Sequence, residues 1–351
     1  MHVQQDGGAK VFSQHILASV AIDIGTSQTR IFHKNAGQIF SSPTLIAFRK
    51  GEGDINRSVI AIGAAAEKMI GRAPPSVEVV RPVINGSIVD IEAALIYIKS
   101  VMCEAIPGFW LAKPPVVCVV SSAATELDRK AFIDIFRHLG SPNIRVLPQH
   151  YAALAGIGVN FTNRGGTLVV NIGAGSTDIA ITSFGTTLAN TSVKIGGDDF
   201  NKSIQRFLRK KKNIEIGDAT VETIKTSFGC AVQSDNFGAQ AIDTAVKCLA
   251  ARRAVTVKIS KNELAQAIRP LLLRISDRVF NAFEAVSPDV GTDILDGFAF
   301  LTGGAAKMDS ILDFFTSATA VPFQGIPDQG SCVEKGMINI LAHPRDYNCF
   351  V

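Results

Sequence analysis

The chain has 351 residues, 47% of them hydrophobic and 19% charged, with a net charge of +4 and a mean hydropathy of +0.24. That is enough apolar material for a large core and two domains, and too few charges for a disordered chain. The basic excess is too mild and too dispersed to imply nucleic acid, although it suits contact with anionic lipid. No apolar run approaches the roughly 18–20 residues of a membrane span. The six cysteines form no CxxC pair and the six histidines no HExxH pattern. Buried thiols in a reducing cytoplasm are therefore expected, not disulfides or a protein-held metal.

The N-terminal MHVQQDGGAKVFSQ lacks a charged leader ahead of an apolar core and is expected to be a loose tail. Val20–Arg30, VAIDIGTSQTR, then reads as two strands around a turn of small hydroxyl residues, and Gly37–Phe48 continues in short strands. Ile60–Met69 reads as a strand running into a short helix. In Arg81–Glu92, RPVINGSIVDIE, the Asn85-Gly86 pair marks a turn and Asp90 a helix cap. Phe109, Trp110 and Leu111 follow in a Pro- and Gly-bounded loop beside Lys113. Two readings stand: the three insert into a membrane interface, or they fold back onto the core.

Val116–Val120 reads as a buried strand, and Thr125-x-x-Asp128 as a capping box for a helix with Leu127, Ala131, Ile135 and Leu139 on one stripe. Ile144–Leu147 is the next strand and Gln149–Gly158 a small-residue helix. Leu168–Ile181, LVVNIGAGSTDIAI, repeats the grammar of the first hairpin: aliphatics, Ile-Gly, then small hydroxyl residues. Gly173 and Gly175 permit positive φ and lack a Cβ, so a phosphate has close access to the main chain, with Ser176 and Thr177 as hydroxyl donors. Two such turns suggest two similar halves facing one nucleotide.

Lys194–Asp199, KIGGDD, opens a helix that ends in Arg209, Lys210, Lys211 and Lys212, either a lipid contact or a solvated basic C-terminus. Thr220–Gly229 is another helix and Val255–Ile259 a strand. Ser260-x-x-Glu263 caps a long helix with Leu264, Ile268, Leu271 and Ile275 inside, which Pro270 would kink. Phe298–Asp309, FAFLTGGAAKMD, is a buried strand and Gly-rich turn suited to a nucleotide edge. A helix from Cys332 to Leu341 closes the pattern.

Read together, DIGTSQT (Asp23–Thr29), RPVINGSIVDIE (Arg81–Glu92), NIGAGSTDIAI (Asn171–Ile181), IGGDDF (Ile195–Phe200), IGDATVETIK (Ile216–Lys225), LTGGAAKM (Leu301–Met308) and SCVEKG (Ser331–Gly336) resemble the actin-like ATPase superfamily, and within it the MreB family of bacterial actins. The resemblance runs from Val20 to about Leu341. It implies an α/β fold of two similar ribonuclease-H-like halves around a cleft for ATP and magnesium. Its subdomains would be IA (1–34 and 72–152), IB (35–71), IIA (153–192 and 259–330) and IIB (193–258), with 331–351 returning to IA.

On that resemblance Gly25, Thr26, Ser27 and Gln28 cradle phosphates from one half, and Gly173, Ala174, Gly175, Ser176 and Thr177 from the other. Asp23 holds magnesium through water, Gly197 and Asp198 face the ribose, Glu222 and Lys225 flank adenosine, and Gly303, Gly304 and Ala305 close over the nucleotide. The family's membrane-inserting loop falls at Phe109–Leu111. Implied partners are further copies in a filament, the anionic inner membrane surface, at whose cytoplasmic face the chain would sit, and membrane proteins of the cell-shape machinery.

Three departures stand out. Asn171 replaces an Asp, Pro148-Gln149-His150 replaces a Glu-Glu-Pro run, and Ala305 replaces a Gly. The first two remove the carboxylates that order magnesium waters and accept a proton from the attacking water, leaving Gln149 and Asn171 as neutral amides in the catalytic positions. A filament protein with slow or impaired ATP hydrolysis is therefore expected. The alternatives are a divergent actin-like filament for plasmid segregation or organelle positioning and, less favoured for want of a carboxylate base, a small-molecule kinase of the same superfamily.

Overall fold

The computed structural model describes residues 20–50, 57–160, 165–237, 240–249 and 253–343, without the side chains of Trp110 and Ala112. The expected N-terminal tail and Cys349 lie outside the described residues.

The first half starts with β1 (Val20–Ile24), β2 (Gln28–His33) and β3 (Gly37–Pro43). A smaller sheet follows: β4 (Ile46–Arg49), β5 (Ser58–Ile62), the one-turn helix α1 (Ala64–Glu67) and β6 (Val77–Val80). β7 (Val83–Ile84) and β8 (Ser87–Ile88) flank the Asn85-Gly86 turn, whose two residues both adopt left-handed backbone (φ 53° and 78°). That double positive φ is what a two-residue hairpin turn requires and what Asn-Gly supplies most readily. Asp90 then accepts from the Ala93 N–H and starts α2 (Ile91–Ala105). After α3 (Phe109–Ala112) come β9 (Val116–Val120), α4 (Glu126–His138), β10 (Ile144–Pro148) and α5 (Gln149–Ile157).

The second half holds β11 (Thr167–Ile172), β12 (Thr177–Ser183), β13 (Thr186–Val193), α6 (Gly197–Lys212), β14 (Ile214–Glu215), α7 (Asp218–Phe228), β15 (Ala241–Cys248), β16 (Arg253–Ser260), α8 (Lys261–Glu284), α9 (Pro288–Leu295), β17 (Ala299–Thr302), α10 (Ile311–Thr319), β18 (Phe323–Gln324) and α11 (Cys332–Ala342). The two main sheets have one topology. The first runs β10-β9-β1-β2-β3 and the second β18-β17-β11-β12-β13, each with a hairpin at its centre, an antiparallel third strand on one side and two parallel strands on the other.

α5 and α11 lie between these sheets. One core cluster joins Ala21, Phe32 and Val117 of the first half, Val169 and Ala180 of the second, and Ala152, Leu154, Met337 and Ile340 of the two helices. The helices meet at glycines: a Cβ on Gly156 would lie 1.7 Å from the Cys332 carbonyl oxygen, and one on Gly336 1.7 Å from that of Ala152. Only bare backbone fits at that crossing.

β3 pairs with β2 in the main sheet and β6 with β4 in the small one, which spans Ile46–Val80. Several expectations are revised. The capping box at Thr125 forms and Ile135 and Leu139 are buried as expected, but Leu127 is 77% exposed, and Phe132 and Phe136 complete the buried face. In α8 Leu272 is buried and Leu271 only partly so, and the helix continues through Pro270, whose side is exposed. β15 was not foreseen; it pairs with β16 along its full length.

Candidate functional site

Both hairpin turns close with the same bond. Gly25 N–H donates to the Gln28 carbonyl at 3.0 Å and Gly173 N–H to that of Ser176 at 2.9 Å. Among the described residues, the N–H groups of Thr26, Ser27, Ala174 and Gly175 have no main-chain acceptor. Two glycine-closed loops with N–H groups left over are the kind of turn that can receive an anion. Neither Gly25, Gly173 nor Gly175 has positive φ, contrary to expectation. The missing Cβ matters instead: at Gly175 it would lie 2.5 Å from Asn85 Oδ1 and 2.7 Å from Thr26 Oγ1, so the glycine lets the two turns approach each other.

Thr177 is corrected as a phosphate donor. It is fully buried and its hydroxyl donates to the Ile195 carbonyl at 2.8 Å, fixing the KIGGDD segment to β12. That segment docks further by Gly197 N–H on the Gly173 carbonyl and Asp198 N–H on the Ala174 carbonyl, both at 2.9 Å. Ser176 stays half-buried at the turn, as do Ser27 and Gln28.

Asp23, near the end of β1, is 7% exposed and faces Arg30 across the hairpin. Burial pushes its carboxyl up to about 6 against the opposing pull of Arg30, whose own guanidinium is bonded to Glu334 at 2.9 Å. No described residue donates a hydrogen bond to this carboxylate. A buried acid left without a donor suits a hydrated magnesium ion, which keeps its waters and takes one or two carboxylates. Among the described residues no cluster of three or more His, Cys, Asp or Glu makes a protein-only metal cage.

Asn171 holds the equivalent place in β11, 3% exposed, its Oδ1 accepting from Thr302 Oγ1 at 3.1 Å. Gln149 begins α5, half-buried. Lys225 is 8% exposed; its ammonium bonds Glu222 at 2.6 Å and the Gly197 carbonyl at 3.0 Å, bringing the ExxK pair to the GGD turn. Burial raises the Asp198 carboxyl, with Arg81 and Lys225 pulling the other way. Gly303 has φ 93° and lies against Asn171, Gly304 faces open space, and the Ala305 methyl packs, partly buried, on the second-half core.

Phe109 is a correction: it is 1% exposed within the first-half core. The segment is a helical turn after Gly108, not an extended loop, and it presents Leu111 at 94% exposure. The Trp110 side chain lies outside the described residues. Of the basic run, Lys211 and Lys212 pair with Glu263.

Sequence reasoning missed a polar junction between the halves. Asp178 on β12 is 3% exposed and accepts from Ser121 Oγ at 3.0 Å and Ser122 N–H at 2.9 Å. Asn190 on β13 donates to the Ser122 carbonyl, and Ser122 Oγ accepts from His150 N–H at 3.0 Å. His150 Nε2 meets Thr187 Oγ1 at 3.0 Å, and desolvation holds the imidazole down to about 3, neutral near pH 7. Ser121-Ser122 at the end of a buried strand was the available signal.

A duplicated sheet, twin glycine-closed turns and a junction between them define an actin-like α/β protein with two ribonuclease-H-like halves. The sequence model of the MreB/Mbl protein family matches residues 17–348. Cell shape-determining protein MreB of Escherichia coli (strain K12) is 29% identical over 321 residues, 90% of this chain and 91% of that protein. The Mbl protein of Bacillus subtilis (strain 168) is 25% identical, covering 90% and 93%. MreB5 of Spiroplasma citri bound to AMPPNP superposes with a TM-score of 0.82 at 27% identity, covering 90% of this chain and 93% of that one; its ADP-bound structure gives 0.83 at 26%, covering 90% and 94%. The chain belongs to the MreB/Mbl family.

Proposed function

We propose that this chain is an ATP-binding, actin-like cytoskeletal protein that polymerises into membrane-associated filaments, helps determine cell shape, and hydrolyses ATP slowly. The observation that carries the reading is the pair of turns with matching Gly N–H closures and free N–H groups, set in a chain of this family. Its relatives in Escherichia coli and Bacillus subtilis are cell shape-determining proteins, and MreB5 binds AMPPNP and ADP.

The free N–H groups at Thr26–Ser27 and Ala174–Gly175 would bind polyphosphate, and Gly197, Glu222 and Lys225 would flank the nucleoside. Asp23 would hold magnesium through its water shell; the ion would neutralise phosphate charge. Asn171 and Gln149 orient a water but take no proton from it at neutral pH, which makes hydrolysis slow. Head-to-tail contacts between copies, which do not close into a ring, would give the filament. Leu111, projecting on its one-turn helix, would enter the anionic inner face of the plasma membrane, where the filament would meet membrane proteins of the cell-shape machinery.

The test is sedimentation of the purified protein with ATP, with ADP and without nucleotide, each with and without anionic liposomes, alongside phosphate release. ATP should move the protein to the pellet, liposomes should retain it, and the double variant Asn171→Asp/Gln149→Glu should release phosphate at least tenfold faster. Protein that stays soluble in every tube would overturn the filament reading; wild-type phosphate release equal to that of the double variant would overturn the slow-hydrolysis reading.

A further inference from the structure

The RPVINGSIVDIE segment has no part in the site as drawn so far, yet it forms its third wall. Asn85 N–H donates to Thr26 Oγ1 at 2.9 Å, and Asn85 Oδ1 lies against Gly175 on the other turn. Gly86 is fixed at φ 78° with its α-carbon against Ser121; a Cβ there would come within 2.5 Å of the Ser121 Cβ. The β7–β8 turn is thus clamped to both phosphate turns and to the junction between the halves. Asn85 and Gly86 take the left-handed backbone such a turn needs, so its shape is set locally and its position by these contacts.

At the base of that turn, Arg81 donates from one guanidinium nitrogen to the Thr26 carbonyl at 2.7 Å. This leaves most of its five N–H donors for another partner. The charge balance says what that partner is. Asp23 on the first hairpin, and Asp198 and Glu222 beside the segment docked on the second, surround the turns with carboxylates, so an anion bound there needs a cation of its own. The other cations nearby are committed: Arg30 to Glu334, and Lys225 to Glu222 and the Gly197 carbonyl. Arg81 also lies near enough to Asp198, at the start of α6 in the opposite half, for its charge to pull that carboxyl down against the effect of burial.

We infer that Arg81 is the cationic phosphate-binding residue of this cleft, its guanidinium held on the first turn by Thr26 and aimed at the polyphosphate of a nucleoside triphosphate between the two turns. The inference rests on the nucleotide-binding reading above. A planar guanidinium fixed through one nitrogen presents the remaining fork to phosphate oxygens, a geometry that an ammonium does not reproduce.

Calorimetric titration of the full chain with ATP, ADP and adenosine, for wild type, Arg81→Gln and Arg81→Lys, tests it. Loss of one charge-assisted contact should weaken ATP binding by Arg81→Gln roughly ten- to hundredfold, ADP less, and adenosine not at all. Arg81→Lys should fall between, because it keeps charge and loses the fork. Unchanged adenosine affinity also certifies the fold; should Arg81→Gln not fold, the ATP-to-adenosine affinity ratio of Arg81→Lys, expected below that of wild type, decides. ATP affinity within twofold of wild type, or an equal loss for ATP and adenosine, would overturn the assignment. A wild-type chain that binds none of the three would overturn the nucleotide-binding reading, and the assignment with it.

Discussion

Replacing Gly156 with Ala should separate the two halves at their common pivot. The added methyl would sit 1.7 Å from the Cys332 carbonyl oxygen, 2.6 Å from its carbon and 2.8 Å from Gly336 N, against a limit of 3.0 Å that real Cβ contacts essentially never breach. Every obstructing atom is backbone, so no rotamer relieves the clash, and α5 and α11 must part by more than about 1 Å. That opens the cluster in which Ala152, Leu154, Met337 and Ile340 join both sheets. Overpacking of this kind typically costs about 1–3 kcal/mol, and backbone-on-backbone contact places it at the upper end. The better helix propensity of Ala offsets about 1 kcal/mol, leaving a net loss of about 2 kcal/mol and, for a chain of 351 residues, a fall in Tm of roughly 3 °C. Gly291→Ala in α9 is the control: its methyl would meet the Phe283 ring at an ordinary 3.5 Å, so Tm should hold or rise. Gly336→Ala should match Gly156→Ala, and the double variant should lose less than the sum, since both open one contact. Thermal unfolding followed by circular dichroism reads all four. A Gly156→Ala protein within 1–2 °C of wild type would refute the pivot packing.

Asp23→Asn should stabilise the nucleotide-free protein in a pH-dependent way. Its carboxyl is raised to about 6, so stability from the protonated form is fully present below about 4 and is lost as pH rises through 6. At pH 7.5 the variant should therefore exceed wild type by up to about 3 kcal/mol in urea unfolding, with the gap closing near pH 4; an equal gap at both values would refute the burial argument. Phe109 and Leu111 should separate packing from surface function. Phe109→Ala should cost about 3–5 kcal/mol, whereas Leu111→Ser should leave unfolding within about 0.5 kcal/mol of wild type while reducing retention on anionic vesicles. A Leu111→Ser protein that unfolds readily would show that this side chain is packed.

What the sequence made legible was local. Asp90, Thr125 and Ser260 announce their helices because a cap and its partner lie within three residues, and all three bonds form. The twin hairpins were legible because both share one grammar of aliphatics, Ile-Gly and small residues. The Asn85-Gly86 turn was legible for the same reason, yet its partners, Thr26 and Gly175, lie too far away in sequence for any periodicity to supply them. β15 escaped because Ala241 opens it and Ala245 stands at its centre, where larger alternating side chains would mark a strand. Phe109 and Leu111 look alike in composition, and only the one-turn helix after Gly108 turns the first inward and the second outward. Thr177 reads as a phosphate donor until Ile195, eighteen residues on, takes its hydroxyl.

The duplicated halves explain where the chemistry of this cleft is asymmetric. Their sheets and turn closures match, so Asp23 and Asn171 stand in equivalent places, one a carboxylate and one an amide. The second half does keep a carboxylate at its hairpin, Asp178, directly opposite Asn171 in the register. That group is committed elsewhere, accepting from Ser121 and Ser122 of the first half. The Asn171 oxygen is likewise taken by Thr302. The second half therefore offers its turn N–H groups and little basicity, while the first offers Asp23, which has no hydrogen-bond donor among the described residues. On the proposed reading, this division of groups would place an anion on the turn N–H groups and its counter-ion at Asp23. Because Asp178, Asn190 and His150 converge on Ser122, any motion that parts the turns must also break that buried junction. Hydrogen bonds to a charged group in such a site contribute about 1.5–3 kcal/mol each, so the state of the cleft and the angle between the halves are set together.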